Sequence, residues 1–298
     1  MITFRKVFGA LFAVMMALVS TGLAQAGPID DADKTEVMIE AGDVTLGATL
    51  YRPAGISGPL PAIVTAHGSA PSTRDGVGFY THHALKMGFA VLSFDKRGTG
   101  KSSGTYVPFS VETSDKVFRG LASDVEFAVR WIAAQPDIDT SRIGLFGGSQ
   151  AGWIMPLAAS HEPLVSFIII GEGVPLTAYE EDFHGDITGE GEWLGDKINE
   201  ADQALRAMTL PEDPGFDPAP VLKALELPTL WIFGLRDAVI PIAPSIARLE
   251  ELIKSGKTNN ELHVFAFGDH NFRNVATGER YDVGAVAAEW LKSKGVLR

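Results

Sequence analysis

The 298-residue sequence contains no cysteine. This absence excludes disulfide bonds, thiolate nucleophiles and cysteine-based metal sites. The seven histidines are scattered without the spacing of metal ligands, and the HExxH pattern of zinc peptidases does not occur. We therefore expect no metal and no organic cofactor, and we expect stability to come from the large core that a chain of this length can build.

Basic residues are outnumbered, with 25 lysines and arginines against 37 aspartates and glutamates and a formal net charge of −12. The phosphate backbone of nucleic acids repels an acidic protein. Anionic membrane surfaces disfavour it as well. The composition thus predicts neither a nucleic-acid partner nor a stable membrane association, and it contains no indication of an oligomeric state.

Long hydrophobic runs are rare, and the most marked one is at the N-terminus. Arg5 and Lys6 precede an apolar run at residues 7–19, which small residues follow up to Ala26. A charged start, an apolar middle and an A-x-A end are typical of a cleavable signal peptide. We predict cleavage after Ala26 and export of residues 27–298 to the periplasm or the medium. The alternative is an uncleaved anchor, but the run is shorter than the ~20 residues of a membrane span.

From residue 34 onward, short apolar runs alternate with helical patterns. Two early strands form a predicted hairpin, and six further strands follow, most of them fully apolar. The predicted strands are 35–41, 44–51, 61–66, 89–94, 142–146, 165–170, 229–233 and 262–267, and the predicted helices are 78–87, a long one within 112–134, 150–159, 244–255 and 283–292. Apolar strands separated by helices indicate an α/β fold with a mostly parallel, twisted sheet covered on both faces.

One stretch, at about 173–220, interrupts this alternation. It contains no clear strand and is too long for an ordinary loop. Ligands of open α/β sheets bind at the carboxyl ends of the strands, where long insertions are usually functional. We predict a small helical cap inserted in the domain of residues 27–298. The alternative is a surface excursion without function.

The strongest local motif is Gly-Gly-Ser-Gln-Ala-Gly at residues 147–152, between a predicted strand and a predicted helix. A sharp strand-to-helix turn exposes a serine hydroxyl as a nucleophile, here Ser149. The helix N-terminus behind it supplies donors and a dipole that favour negative charge. The alternative is a serine that only caps the helix.

Two further polar residues, Asp237 and His270, each follow a predicted strand. Each alone could be an ordinary loop residue. Together with Ser149 they occur in the order Ser, Asp, His, each after a strand, which predicts a catalytic triad. In it, Ser149 is the nucleophile, His270 the general base and Asp237 the acid that orients the histidine. Asp269 is too close to His270 along the chain to fold back and orient it.

With these residues the chain resembles the α/β-hydrolase superfamily over nearly all of residues 27–298. The segment 67–75 (HGSAPSTRD) looks like the oxyanion loop of bacterial carboxylesterases of the dienelactone-hydrolase and serine-aminopeptidase-like branch. The segment 95–102 (DKRGTGKS) looks like the structural D-x-R-G-x-G-x-S loop of the superfamily. One departure is Ala151, which stands where the usual G-x-S-x-G motif has its last glycine.

The resemblance implies an α/β-hydrolase fold and an oxyanion hole made of the backbone N–H groups of Ser69 and Gln150. A further hypothesis is that Arg74 and Asp75 hold the oxyanion loop in place by charge-assisted bonds, the alternative being that both are simply exposed. The functional hypothesis is an exported serine hydrolase that cleaves carboxylic esters of a small-molecule acyl substrate through an acyl-enzyme intermediate.

Other functions stay open at this point. A serine peptidase or amidase of the aminopeptidase type is the first alternative, because the acidic residues of the predicted cap could hold an α-amino group. A lipase and a non-catalytic binding protein with the same fold are weaker alternatives. The GKS at residues 100–102 does not indicate a nucleotide-binding loop, because Asp95 stands where that loop requires glycine.

Overall fold

The structure is a computed structural model that describes residues 27–56, 58–189 and 196–297. The predicted signal peptide lies outside the described residues. No helix in the described ranges combines the length and the hydropathy that a membrane-spanning segment needs.

The described residues form an eight-stranded sheet with the strand order β1-β2-β4-β3-β5-β6-β7-β8. The pairs β1–β2 and β2–β4 are antiparallel, and all other neighbours are parallel. The strands are β1 Asp33–Ala41, β2 Val44–Arg52, β3 Leu60–Ala66, β4 Ala90–Phe94, β5 Ile138–Gly148, β6 Val165–Gly171, β7 Thr229–Gly234 and β8 Asn260–Phe265. The predicted α/β class and mostly parallel sheet are confirmed.

The helices cover both faces of the sheet, which explains why the inner strands are apolar along their whole length. Every residue of β3, β4 and β7 is buried. Helices α3, α4 and α8 pack on one face, and α2 and α9 pack on the other. The helices are α1 Pro28–Asp31, α2 Gly78–Lys86, α3 Ser114–Ala133, α4 Ala151–His161, α5 Ala178–Thr188, α6 Asp196–Ala207, α7 Ala219–Ala224, α8 Ile242–Lys254 and α9 Val283–Ser293.

The last strand lies two residues earlier than the sequence predicts. We expected 262–267, whereas β8 is Asn260–Phe265, and Phe267 is 47% exposed in the turn that follows. The polar residue Asn260 joins the strand because its side chain accepts a hydrogen bond from the indole of Trp231 at 3.1 Å. An edge strand has a neighbour on one side only, so its hydrophobic pattern is a weaker guide to its ends.

The stretch predicted as a cap contains α5 and α6, with α7 at its far end before β7. Helix α5 begins with a capping box, in which the Thr177 hydroxyl accepts from the Glu180 N–H and the Glu180 carboxylate accepts from the Thr177 N–H. Residues 190–195 lie outside the described ranges. That this segment serves as a cap stays a prediction.

Candidate active site

Ser149 occupies the sharp turn between β5 and α4 in a left-handed backbone conformation, with φ of 58°. Its backbone N–H lies within hydrogen-bond distance of the carbonyl oxygens of Gly171 (3.0 Å) and Glu172 (3.1 Å). Such a conformation costs a non-glycine residue about 1–3 kcal/mol and persists only where the surroundings impose it. Here it turns the side chain out of the sheet at the end of the central strand.

The turn requires small neighbours. A Cβ atom at position 148 would lie 2.4 Å from the carbonyl oxygen of Gly171, so only glycine fits there. A Cβ at position 147 would lie 2.5 Å from the carbonyl oxygen of Ala66 and 3.0 Å from the methyl group of Ala151. Alanine at 151 therefore fits beside a glycine at 147, and the departure from the usual motif leaves the turn intact.

Asp237 and His270 are brought together by the ends of β7 and β8. The carboxylate of Asp237 is fully buried, and its Oδ2 lies 2.7 Å from Nδ1 of His270. Its Oδ1 accepts the backbone N–H of Val239 at 2.8 Å, which fixes the carboxylate plane. Because the carboxylate accepts a hydrogen bond from the Nδ1–H of His270, the proton of the neutral imidazole stays on Nδ1 and Nε2 is its basic nitrogen.

The loop that carries His270 is shaped by its neighbours. Oδ1 of Asp269 accepts the backbone N–H groups of Asn271 at 2.9 Å and of Arg273 at 2.8 Å. Phe272 is buried and has a φ of 56°. Asp269 thus forms the turn, while Asp237 holds the imidazole.

The electrostatics of His270 result from two opposing effects. Burial alone would lower the pKa of the imidazole, but the charge and hydrogen bond of Asp237 outweigh it. Glu181 and Asp269 act in the same direction as Asp237, and the net effect raises the pKa of His270 above its usual value. His270 therefore becomes neutral, and able to accept a proton, at a higher pH than an ordinary histidine.

Ser149 opens into a cavity of about 720 Å³. The cavity wall combines apolar side chains, three carboxylates and the loop that follows β3. Its lining includes Ser69, Ala70, Tyr106, Pro108, Phe109, Ser149, Glu181, Asp182, Asp186 and Val239. Among the described residues no hydrogen bond joins Ser149 to His270, a contact that often tightens only when substrate binds.

The loop after β3 passes directly against the serine. A Cβ built on Gly68 would lie 3.5 Å from Cβ and 3.8 Å from Oγ of Ser149. Within the described ranges, the backbone N–H groups of Ser69 and Gln150 donate to no other protein group. The structure therefore places both sequence-predicted donors beside Ser149, with their N–H groups available to a ligand.

The loop after β3 is anchored by an ion pair with the loop after β4. Nη2 and Nε of Arg74 lie 2.8 Å and 3.0 Å from the carboxylate of Asp95. Burial alone would raise the pKa of Asp95, but hydrogen bonds from Arg74 and the Lys101 N–H lower it to about 2. Asp75, which we expected to assist Arg74, is exposed to solvent.

The sequence analysis missed Glu172, which follows β6. Its side chain is 1% exposed, its φ is 48°, and neither carboxyl oxygen accepts a well-formed hydrogen bond from the described residues. Burial, and next the negative charge of Asp237, raise the pKa of Glu172 well above its usual value. The sequence could have indicated Glu172 as a candidate site residue, because it follows the carboxyl end of a buried strand, as Ser149 and Asp237 do.

In the part of the chain that the structure describes, no group of three or more histidine, aspartate or glutamate side chains could hold a metal ion.

The chain is similar to known esterases and peptidases. A sequence profile of the X-Pro dipeptidyl-peptidase (S15) family matches residues 42–185, slightly less than half of the chain. An esterase of Thermotoga maritima is 26% identical over 234 residues, which cover 70% of this chain and 54% of that protein. A probable dipeptidyl-aminopeptidase B of Fusarium vanettenii is 26% identical over 235 residues, which cover 74% of this chain and 23% of that protein. The chain spans about half the length, or less, of these curated relatives.

Solved structures show the same fold. An esterase of Pyrococcus furiosus superposes with a TM-score of 0.65 at 20% identity, covering 88% of this chain and 91% of the other. A putative dienelactone hydrolase of Klebsiella pneumoniae gives a TM-score of 0.59 at 16% identity, covering 89% of this chain and 97% of the other. At these identities the likeness concerns the fold.

Proposed function

We propose that this chain, which has the fold of α/β hydrolases, is a serine hydrolase that cleaves carboxylic esters through an acyl-enzyme intermediate on Ser149. The observation that carries the proposal is the buried Asp237 carboxylate 2.7 Å from Nδ1 of His270, at the same sheet edge as the strained turn of Ser149. The similarity to an esterase of Thermotoga maritima supports it.

The first half of the reaction forms the acyl-enzyme. His270 takes the proton of the Ser149 hydroxyl at Nε2 while Oγ attacks the acyl carbonyl carbon. Asp237 holds the imidazole by its Nδ1–H and stabilises the imidazolium that forms. The imidazolium then gives its proton to the leaving alcohol, and the C–O bond of the ester breaks.

The negative oxygen of the tetrahedral intermediate is stabilised by the backbone N–H groups of Ser69 and Gln150. Loss of one such donor typically lowers kcat ~100-fold to 1000-fold. In the second half, His270 takes a proton from water, the hydroxide attacks the acyl-enzyme, and the carboxylic acid leaves as Ser149 regains its proton. Each step uses groups of this chain and water alone.

The test is hydrolysis of p-nitrophenyl acetate, butyrate and octanoate by the wild-type chain, by Ser149→Ala and by the control variant Ser160→Ala. Ser160 is an exposed serine on α4. We expect Ser149→Ala to lower kcat about 1000-fold or more, and Ser160→Ala to keep wild-type turnover. Equal turnover by the wild type and Ser149→Ala would refute the proposal.

A second candidate, a peptidase that recognises a free N-terminus, is favoured by the charge of the cavity. Glu181, Asp182 and Asp186 line the cavity that holds Ser149, and carboxylates attract a protonated amine. The similarity to a probable dipeptidyl-aminopeptidase B and the S15 profile also support it.

The two candidates differ in their response to a blocked amine. A peptidase of this kind should cleave Ala-Pro-p-nitroanilide but not its N-acetylated form, in a reaction lost in Ser149→Ala. An esterase should cleave the p-nitrophenyl esters and leave both anilides intact. The comparison of the two anilides isolates the contribution of the amino group.

Export belongs to the proposal as well. The N-terminal pattern of residues 1–26 supports a location in the periplasm or outside the cell, where the substrate would be a small acyl compound.

A further inference from the structure

Lys96 is a buried cation beside the oxyanion loop. Its side chain follows β4 and is 2% exposed. Its ammonium group donates to the carbonyl oxygens of Gly68 and Ala70 and to the side-chain oxygen of Gln150, the last two at 3.1 Å. The ring of Tyr106 lies 5.5 Å away. All these groups are neutral, and within the described ranges no carboxylate forms an ion pair with Lys96.

Burying a lysine without a carboxylate partner is unfavourable, because the ammonium loses its hydration. Burial lowers the pKa of Lys96 to about 8 for this reason. A hydrophobic side chain of similar size would fill the same space at lower cost. The position of Lys96 therefore indicates a role in holding the three oxygen atoms that it binds.

Peptide geometry shows what Lys96 holds. The described chain contains no cis peptide bond, and in a planar trans peptide the N–H points opposite to the C=O. Because the carbonyl of Gly68 points to Lys96, the N–H of Ser69 points away from Lys96. Ser69 lines the cavity that contains Ser149, so this N–H is left available on the cavity side.

The next peptide is held in a similar way. The hydroxyl of Tyr106 donates to the carbonyl oxygen of Ser69. All three carbonyl groups from Gly68 to Ala70 are therefore hydrogen-bonded, two by Lys96 and one by Tyr106. The same ammonium group binds the side chain of Gln150, whose backbone N–H is the other proposed oxyanion donor.

We propose that Lys96 is a positioning residue for the oxyanion hole. Its buried ammonium group binds both the Gly68–Ser69 peptide and the side chain of Gln150, so that the backbone N–H groups of Ser69 and Gln150 face the reacting carbonyl. This inference rests on the proposed function of Ser149. Lys96 itself touches neither the substrate nor the reacting atoms.

The oxyanion develops in the transition state, so a misoriented donor lowers kcat more than it raises KM. We expect Lys96→Met to lower kcat about 10-fold to 100-fold, since it displaces a donor without deleting it. We expect KM to stay within about threefold, because the side chain does not contact the substrate.

The charge of Lys96 gives a second readout. As the pH rises through about 8, the ammonium loses its charge and one donor, so kcat should fall. The other charged or titratable groups around Lys96 are His67, Asp95 and Tyr106. Burial holds the pKa of His67 at about 3, Asp95 is charged and paired with Arg74, and the pKa of Tyr106 is raised by burial. None of the three changes charge near pH 8.

The experiment measures kcat and KM for p-nitrophenyl butyrate between pH 6 and 10 in the wild type, Lys96→Met, Lys96→Arg and the control Lys254→Met. Lys254 is an exposed lysine on α8 with a side chain 74% exposed. The expected result is a wild-type kcat that falls above pH 8, a fall that is absent in Lys96→Arg, and a low kcat with little change of KM in Lys96→Met. The control should match the wild type throughout.

Two results would overturn the inference: a wild-type kcat in Lys96→Met, or a kcat that changes with pH from 7.5 to 10 in the same way in the wild type and in Lys96→Arg, since both proteins share the titration of His270. The second decides the matter even if Lys96→Met does not fold, which thermal unfolding would reveal. The Ser149→Ala variant distinguishes a failure of the proposed function from a failure of the inference about Lys96. If it keeps wild-type turnover, the proposed function fails and this inference with it; if it is inactive, a failure concerns Lys96 alone.

Discussion

Three residues other than glycine, Ser149, Glu172 and Phe272, have a left-handed backbone among those with described conformations. Ser149 and Glu172 come directly after strands, and Phe272 lies in the loop after β8. All three adjoin the candidate site, where strained backbone is common because it fixes functional groups. Glu172 accepts the N–H of Ser149 at its carbonyl oxygen while its own N–H donates to Ile232. The backbone just after β6 thus links the turn of Ser149 to β7.

The buried carboxyl group of Glu172 leads to a prediction about how stability depends on pH. Burial and the charge of Asp237 raise the pKa of its carboxyl group in the folded protein. The stability that Glu172 contributes is therefore fully present below its unfolded pKa, near 4.5. This contribution is lost as the pH rises through the pKa of the folded state. Glutamine has the shape of the protonated acid and does not titrate. Glu172→Gln should therefore gain stability relative to the wild type as the pH rises from 5 to 8.

Thermal unfolding of both proteins across this pH range measures the effect. The control is Glu226→Gln, whose side chain is 78% exposed, and it should show no comparable trend. A difference between Glu172→Gln and the wild type that stays constant with pH would show that Glu172 is charged in the folded protein.

At the scale of elements, the loops after β3 and β4 depend on each other. Arg74 and Asp95 form a buried pair with side chains 8% and 3% exposed. Asp95 also accepts the N–H of Lys101, and the hydroxyl of Ser102 donates to its carbonyl oxygen. This network joins the oxyanion loop to the D-x-R-G-x-G-x-S loop, so the structural role that the resemblance implies for the second loop has a direct physical basis.

Removing one partner of a buried pair leaves the other charge unpaired and typically costs about 3–5 kcal/mol. We expect Arg74→Met to lower the free energy of unfolding by about this amount. Arg119 provides a matched control, since it pairs with Asp115 on α3 with both side chains 56% exposed, and loss of an exposed pair costs about 1 kcal/mol or less. Urea unfolding at pH 7 measures both variants, and equal losses would contradict the prediction.

At the scale of the whole molecule, the export prediction concerns a segment outside the described residues. Expression of the full chain in a Gram-negative host should yield a periplasmic protein that begins at Gly27. N-terminal sequencing and mass measurement of the fractionated protein test this. A protein that keeps residues 1–26 and sediments with the membranes would instead indicate the uncleaved anchor.

The fold could be predicted from sequence because its signals are local. The predicted strands of five to eight mostly apolar residues, and the glycines around Ser149, indicate secondary structure from short stretches of sequence. Ser149, Asp237 and His270 each follow a strand, which also predicted that they lie at the same end of the sheet, because parallel strands bring their carboxyl ends to one edge. The boundary of β8 was wrong because an edge strand tolerates polar residues, as Asn260 shows.

The sequence by itself determined the approximate position of the strands, their mostly parallel arrangement and the candidate residues of a serine hydrolase. Only the tertiary structure decided which groups surround them. Glu172 lies near Asp237 because β6 and β7 are neighbours in the sheet. Lys96 contacts Gly68 and Gln150 because the strands that precede these residues, β4, β3 and β5, lie side by side in this order. Such contacts join residues that are far apart in the chain, so no local sequence pattern predicts them. They depend on the order of the strands in the sheet and on the burial of these side chains away from water.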